Sequence, residues 1–106
     1  MNPYRGDVTL VLDGEARNMR LTLGALAELE EALGADSLLA LVERFESGAF
    51  SSGDLIALLL AGLRGAGLLI DRETLLGCSI EGGPMAAAKA GALLLKRAFT
   101  VADEEV

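Results

Sequence analysis

Apolar and polar residues alternate through residues 7–22, DVTLVLDGEARNMRLT, and beyond them apolar residues recur every three or four positions. Val8, Leu10 and Leu12 fall on every second position, the period of a strand with one buried face. Asp13-Gly14 then supplies a turn, because a type I′ hairpin turn needs positive φ at both central residues. A hairpin over 7–22 follows, in a register that sets Val8 opposite Met19 and Asp7 opposite Arg20. A hairpin alone is marginal in water, so the Val8/Leu10/Leu12 face must lie on helices.

The helical spacing begins in LTLGALAELEEALGAD, residues 21–36, where Leu26, Leu29 and Leu33 form one stripe and Glu28, Glu30 and Glu31 stand off it. Thr22 suits an N-cap, Leu21 and Leu26 suit a hydrophobic staple, and Gly34 suits a left-handed C-terminal residue. Asp36 is expected to cap a second helix, SLLALVERFE, with Leu38, Leu41, Val42 and Phe45 on one face. Ser51 and Asp54 have capping-box spacing and open a third, LIALLLAGLR, which Gly65 and Gly67 end. That helix is apolar nearly all round, so it is either central to a bundle or has one side waiting for another chain. Asp71 caps a short fourth helix, RETLLGC. Pro84 opens a last one over 84–99, with Met85, Ala88, Ala92, Leu95 and Phe99 at helical spacing. Its small residues 86–92 would let another helix approach closely. The pattern predicts one α+β domain over 1–106, mostly α: a hairpin (7–22) packed on a small bundle of four to five helices (23–99), with a frayed acidic tail (100–106).

Composition changes this picture in one respect. Of 106 residues, 52% are hydrophobic and only 4% aromatic, so leucine and alanine dominate. The mean hydropathy of +0.44 exceeds what one small core hides, and the surplus points to a partner surface. It is concentrated in the third and fifth helices. Leu55, Leu59, Leu60, Leu63, Leu94 and Leu95, with Arg64 at their edge, are therefore the candidate partner-binding residues, and self-association is a further expectation. Arg64 would either grip a partner carboxylate or, as the favoured reading, snorkel at a helix C-terminus.

Charge narrows the partners. Nine basic residues against sixteen acidic ones give a net charge of −7, which argues against nucleic acid and anionic membrane surfaces. The most membrane-like stretch, residues 55–70, falls short of the roughly 20 residues a span requires and contains Arg64. The start, MNPYRGDVTL, lacks the features of a signal peptide, and Cys78 is the sole cysteine, so a cytoplasmic setting is expected.

Catalysis finds little support. With no histidine, Ser-His-Asp, Cys-His and most zinc arrangements are excluded. Cys78 reads as a small buried residue at a helix end. GLRGAG at 62–67 lacks the order of a dinucleotide fingerprint, and no Walker A loop occurs. EGGP reads as a plain cap loop, and Glu28 and Glu31 as a solvated face. The chain is expected to be no enzyme, with no catalytic, cofactor-binding or metal-binding residue.

Three stretches in order, NPYRGDVTLVLDGEARNMRLTLGALAELEEALG, SLLALVERFESGAF and DLIALLLAGLRGAG, resemble the small tail protein of bacterial gene transfer agents and related prophages. That family is grouped with phage tail assembly chaperones and has also been labelled a tail tube protein. The resemblance covers roughly residues 2–80 and carries no catalytic residues across. It implies a non-enzymatic protein that shields the apolar helices of the tape-measure protein, or tail tube subunits, in the bacterial cytoplasm during particle assembly. Two alternatives are a minor tube or adaptor component retained in the particle tail, and a cytosolic helical interaction module.

Overall fold

The computed structural model of the chain describes residues 7–104, with Leu38 and residues 99–104 described by backbone alone. The Asn2–Gly6 opening, the side-chain placements expected for Leu38 and Phe99, and the last two residues of the tail lie outside what is described.

Strands β1 (Val8–Leu12) and β2 (Glu15–Met19) pair antiparallel from Val8↔Met19 to Leu12↔Glu15, the predicted register. Asp13 and Gly14 have φ of 50° and 82°, as the turn requires. The turn is also anchored from outside the hairpin. Asp13 donates its backbone N–H to the Ser79 carbonyl (2.8 Å) and accepts the Ser79 N–H at its carboxylate (2.8 Å). Glu81 N–H donates to the Val11 carbonyl (3.1 Å), and Leu12 and Ile80 form a one-residue bridge. Residues 79–81 thereby cover part of the outer edge of β1.

Helices α1 (Leu23–Leu33), α2 (Leu38–Ser47), α3 (Ser52–Gly65), α4 (Arg72–Leu76) and α5 (Gly83–Glu104) follow. Side chains of Thr22, Ser51 and Asp71 cap α1, α3 and α4 as expected, and the Ser51/Asp54 capping box is complete in both directions. The cap of α2 is Ser37 rather than Asp36. Both residue types cap well, so the sequence does not separate neighbours, and it is the Ser37 hydroxyl that reaches the Ala40 N–H (3.1 Å).

Helix α3 is the centre of the molecule. Leu58, Leu59, Leu60 and Leu63 are all buried, and α1, α4, α5 and β2 pack around them. The hairpin lies on α3 and α5, and α1 packs mainly on α3. Two glycines permit the crossing. A Cβ on Gly62 would meet Leu94 Cδ2 at 2.6 Å and Met19 Cβ at 3.0 Å, and one on Gly65 would overlap the Arg20 carbonyl oxygen. The close approach thus requires glycine at position 65, the last residue of α3, and the left-handed Gly67 (φ 99°) turns the chain beyond it.

Helix α5 differs from expectation in length and phase. It continues to Glu104, so residues 100–104 are helical rather than frayed. Its buried face is Ala87, Gly91, Leu94 and Leu95, while Met85 is exposed. The run of small residues at 86–92 offers little contrast in size from which to phase a helix. Gly91 is where α3 comes close, since a Cβ there would lie 2.9 Å from Leu58.

Candidate partner-binding surfaces

Five of the seven candidate residues are buried in this fold, although Leu59 lines one open groove and Leu60 another. Leu59, Leu60, Leu63, Leu94 and Leu95 belong to the core, because α3 is surrounded and α5 turns its leucine pair onto it. Leu55 is half-buried and lines an open groove. Arg64 is exposed, and its Nε donates to the Ile70 carbonyl (2.9 Å), closing the loop after α3. This is the snorkelling role, with the side chain lying along a second groove.

The first groove runs between α3, α4 and the start of α5 and encloses about 260 Å³. Leu55, Ile56, Leu75, Leu76 and Ile80 make its walls aliphatic, and Leu76 is 52% exposed. Sequence reasoning missed Leu76 and Ile80. Only the chain reversal that brings 76–80 beside α3 gives them a shared surface. Cys78 also lies here, half-buried rather than buried, with its Sγ donating to the Thr74 carbonyl (3.3 Å). Desolvation first, and the Asp13 carboxylate second, push its thiol above the ordinary value. It stays protonated near neutral pH and is a poor nucleophile.

At the mouth of this groove α4 depends on its cap. Asp71 accepts the Thr74 N–H at 2.8 Å. Hydrogen bonds from Thr74 hold the Asp71 carboxyl below its ordinary value, with the Arg64 charge adding to them.

The second groove, of about 490 Å³, lies between α1 and α3. Gly24 and Ala32 on α1 and Ala57, Ala61 and Gly65 on α3 keep it wide, with Leu29 and Leu60 among its lining and Glu28 on its α1 side. The outer face of α5 is exposed as well. Met85 (73% exposed) and Leu93 (39%) alternate there with exposed Lys89 and Lys96.

The remaining polar side chains hold the fold together. Asp7, 1% exposed, accepts from Arg20 Nε (2.8 Å) and Nη2 (3.0 Å), and its carbonyl accepts from Arg97 Nη1 (2.7 Å). The start of the hairpin is thus tied to β2's exit and to α5. Arg44 donates to the Leu33 carbonyl and stands 3.6 Å from Asp54, joining three helix ends. In the EGGP loop the Glu81 and Gly83 N–H groups donate to Val11 and Ile80 carbonyls, so they bond within the fold. Among the described residues, no three of His, Cys, Asp and Glu converge as a metal site, and no helix is long and apolar enough to cross a membrane.

Over residues 5–101 the chain matches the family described as phage tail tube protein, GTA-gp10, a structural class and not an enzymatic one. Searches among curated proteins and among solved structures each returned no match.

Proposed function

The chain belongs to the phage tail tube, GTA-gp10 family, and from that premise we propose that it is a non-enzymatic tail assembly chaperone. On this reading it holds apolar helices of the tape-measure protein until tube subunits enclose them, in the bacterial cytoplasm where particles assemble. The observation that carries the reading is the open aliphatic groove between α3, α4 and α5. An amphipathic helix recognised by its apolar face needs a channel of adaptable side chains without a fixed charge, and Leu55, Ile56, Leu76 and Ile80 provide one. The net charge of −7 would keep a loaded complex dispersed.

Leu76→Asp tests the groove directly, because a residue already half exposed is replaced and the core is untouched. Co-purification with the tape-measure protein is expected to fall at least about tenfold, as loss of one buried leucine contact implies, while thermal unfolding stays close to that of the parent. A folded variant with undiminished capture would remove this groove from the mechanism.

A second reading, a minor tube or adaptor component retained in the particle tail, draws on the family's description as a tube protein. Among the described residues β2 pairs with β1 alone, and its outer edge is one that a neighbouring subunit's strand would pair. Presence or absence in finished particles separates the two. Family membership sets aside the unrelated cytosolic module.

A further inference from the structure

We propose that two copies of the chain pair edge to edge through β2, antiparallel about Ala16, and so form a four-stranded sheet. The hairpin's own ladder fixes which backbone groups are open. With a two-residue turn between them, Leu12 and Glu15 are a hydrogen-bonded pair, and so are Leu10 with Arg17 and Val8 with Met19. The even-numbered residues of β2 therefore turn their N–H and C=O outward. Arg20, the next in that series, donates its N–H to the Gly62 carbonyl of α3 (2.8 Å). Ala16 and Asn18 are exposed, and among the described residues no backbone group bonds them on that side.

The open edge thus offers Ala16 and Asn18 and stops at Arg20, where α3 takes over. A second β2 can pair these groups antiparallel in three registers. Asn18 opposite Asn18 sets Ala16 against Arg20, whose N–H is already used. Ala16 opposite Asn18 sets Arg17 directly against the Arg17 of the second copy. Ala16 opposite Ala16 sets Glu15 against Arg17, twice by symmetry. Those are non-hydrogen-bonded positions, where facing Cα atoms stand about 4.5 Å apart and side chains come closest. Glu15 and Arg17 already pair within the chain at 3.2 Å, and both side chains remain well exposed. The dimer then alternates acid and base across four side chains. An acid and a base two residues apart on an open edge make that edge complementary to itself, and this selects a second copy as the occupant.

The contact is isologous and closes at two copies, because the outer edges of the new sheet are the β1 edges that residues 79–81 partly cover. Two central backbone hydrogen bonds and two ion pairs are less than a standard interface holds, so the dimer is weak. The inference rests on the tube reading only for the edge it uses. It is decided on the purified chain, whereas that reading is decided in finished particles. No residue of β2 lines the α3/α4/α5 groove, so the chaperone reading is separate as well.

Sedimentation of the full chain up to about 1 mM is expected to show a concentration-dependent dimer and nothing larger. Arg17→Glu sets acid against acid and Glu15→Arg sets base against base. Each is expected to weaken association about tenfold or more with unchanged circular dichroism. Mixed one to one, the two variants bring only opposite charges together and are expected to form a heterodimer. Cys78 is the sole cysteine, so the register is read in a Cys78→Ala chain. There Ala16→Cys is expected to form an interchain disulfide on mild oxidation, as facing Cα atoms at about 5.5 Å allow. Asn18→Cys is expected not to, its two copies lying roughly 13 Å apart along the strands. A parent chain monomeric throughout, folded charge variants that dimerise as the parent does, a mixture without a heterodimer, or cross-linking of Asn18→Cys as readily as of Ala16→Cys would each overturn the proposal.

Discussion

Gly62 and Gly65 allow the backbone after β2 to lie directly on α3, where Arg20 N–H donates to the Gly62 carbonyl at 2.8 Å. An alanine in a helix ordinarily gains up to about 1 kcal/mol over glycine. At Gly62 the added methyl meets Met19 Cβ, which is fixed to a strand and cannot move aside as a side-chain tip would. Gly62→Ala is therefore expected to lose about 1–3 kcal/mol, and Gly65→Ala more, because the obstacle there is backbone. Gly53→Ala, near the open start of the same helix, is expected to be neutral or stabilising. Urea unfolding of the three variants checks the order, and equal stabilities would contradict the close approach. Asp7 is a second residue on which distant elements converge. Asp7→Ala leaves Arg20 without its bidentate partner, and a loss of about 1–3 kcal/mol in the same assay is expected. That is less than for a fully buried pair, since Arg20 is partly in water. The raised Cys78 thiol is expected to alkylate at pH 8 more slowly in the folded chain than in urea, and equal rates would contradict its shielding.

Helices and strands divide into those legible from sequence and those that depend on distant packing. The hairpin was legible because alternation, turn residues and the Asp7/Arg20 pairing all specify one register. Three of four side-chain caps were legible because each is a hydrogen bond across three residues. The phase of α5 was not, since alanines at 86–88, 90 and 92 fit any face and only the approach of α3 selects Ala87 and Gly91. Nor was the fate of the α3 leucines. An all-apolar helix reads the same whether its neighbours cover one side or every side, so Leu59, Leu60 and Leu63 looked available when they are core. The grooves were illegible for a related reason, as each is assembled from elements far apart in the chain. Helix α4 gives a test at this scale. The Asp71 carboxyl lies below its ordinary value of 3.8 in the folded chain, so its cap contributes stability present above that value and lost as pH falls through the folded one. The Thr74 amide resonance is expected to titrate with a midpoint below 3.8, and a midpoint at or above it would mean that the cap does not hold α4.

Across the whole molecule, α3 is the wall shared by two grooves: Leu55 and Ile56 face one, Ala57 and Ala61 the other. The surplus of leucine and alanine read from composition is largely core, and the large apolar side chains that stay exposed among the described residues are Leu23, Leu39, Leu69, Leu76, Met85 and Leu93. The central claim is that the chain assists assembly and then leaves. Quantitative mass spectrometry of purified mature particles, against the crude assembly lysate and with the major tail protein as reference, tests it most directly. The chaperone account expects the protein to be abundant in the lysate and absent from the particles. A fixed ratio to the major tail protein in finished particles would contradict it and make the chain a permanent part of the tail.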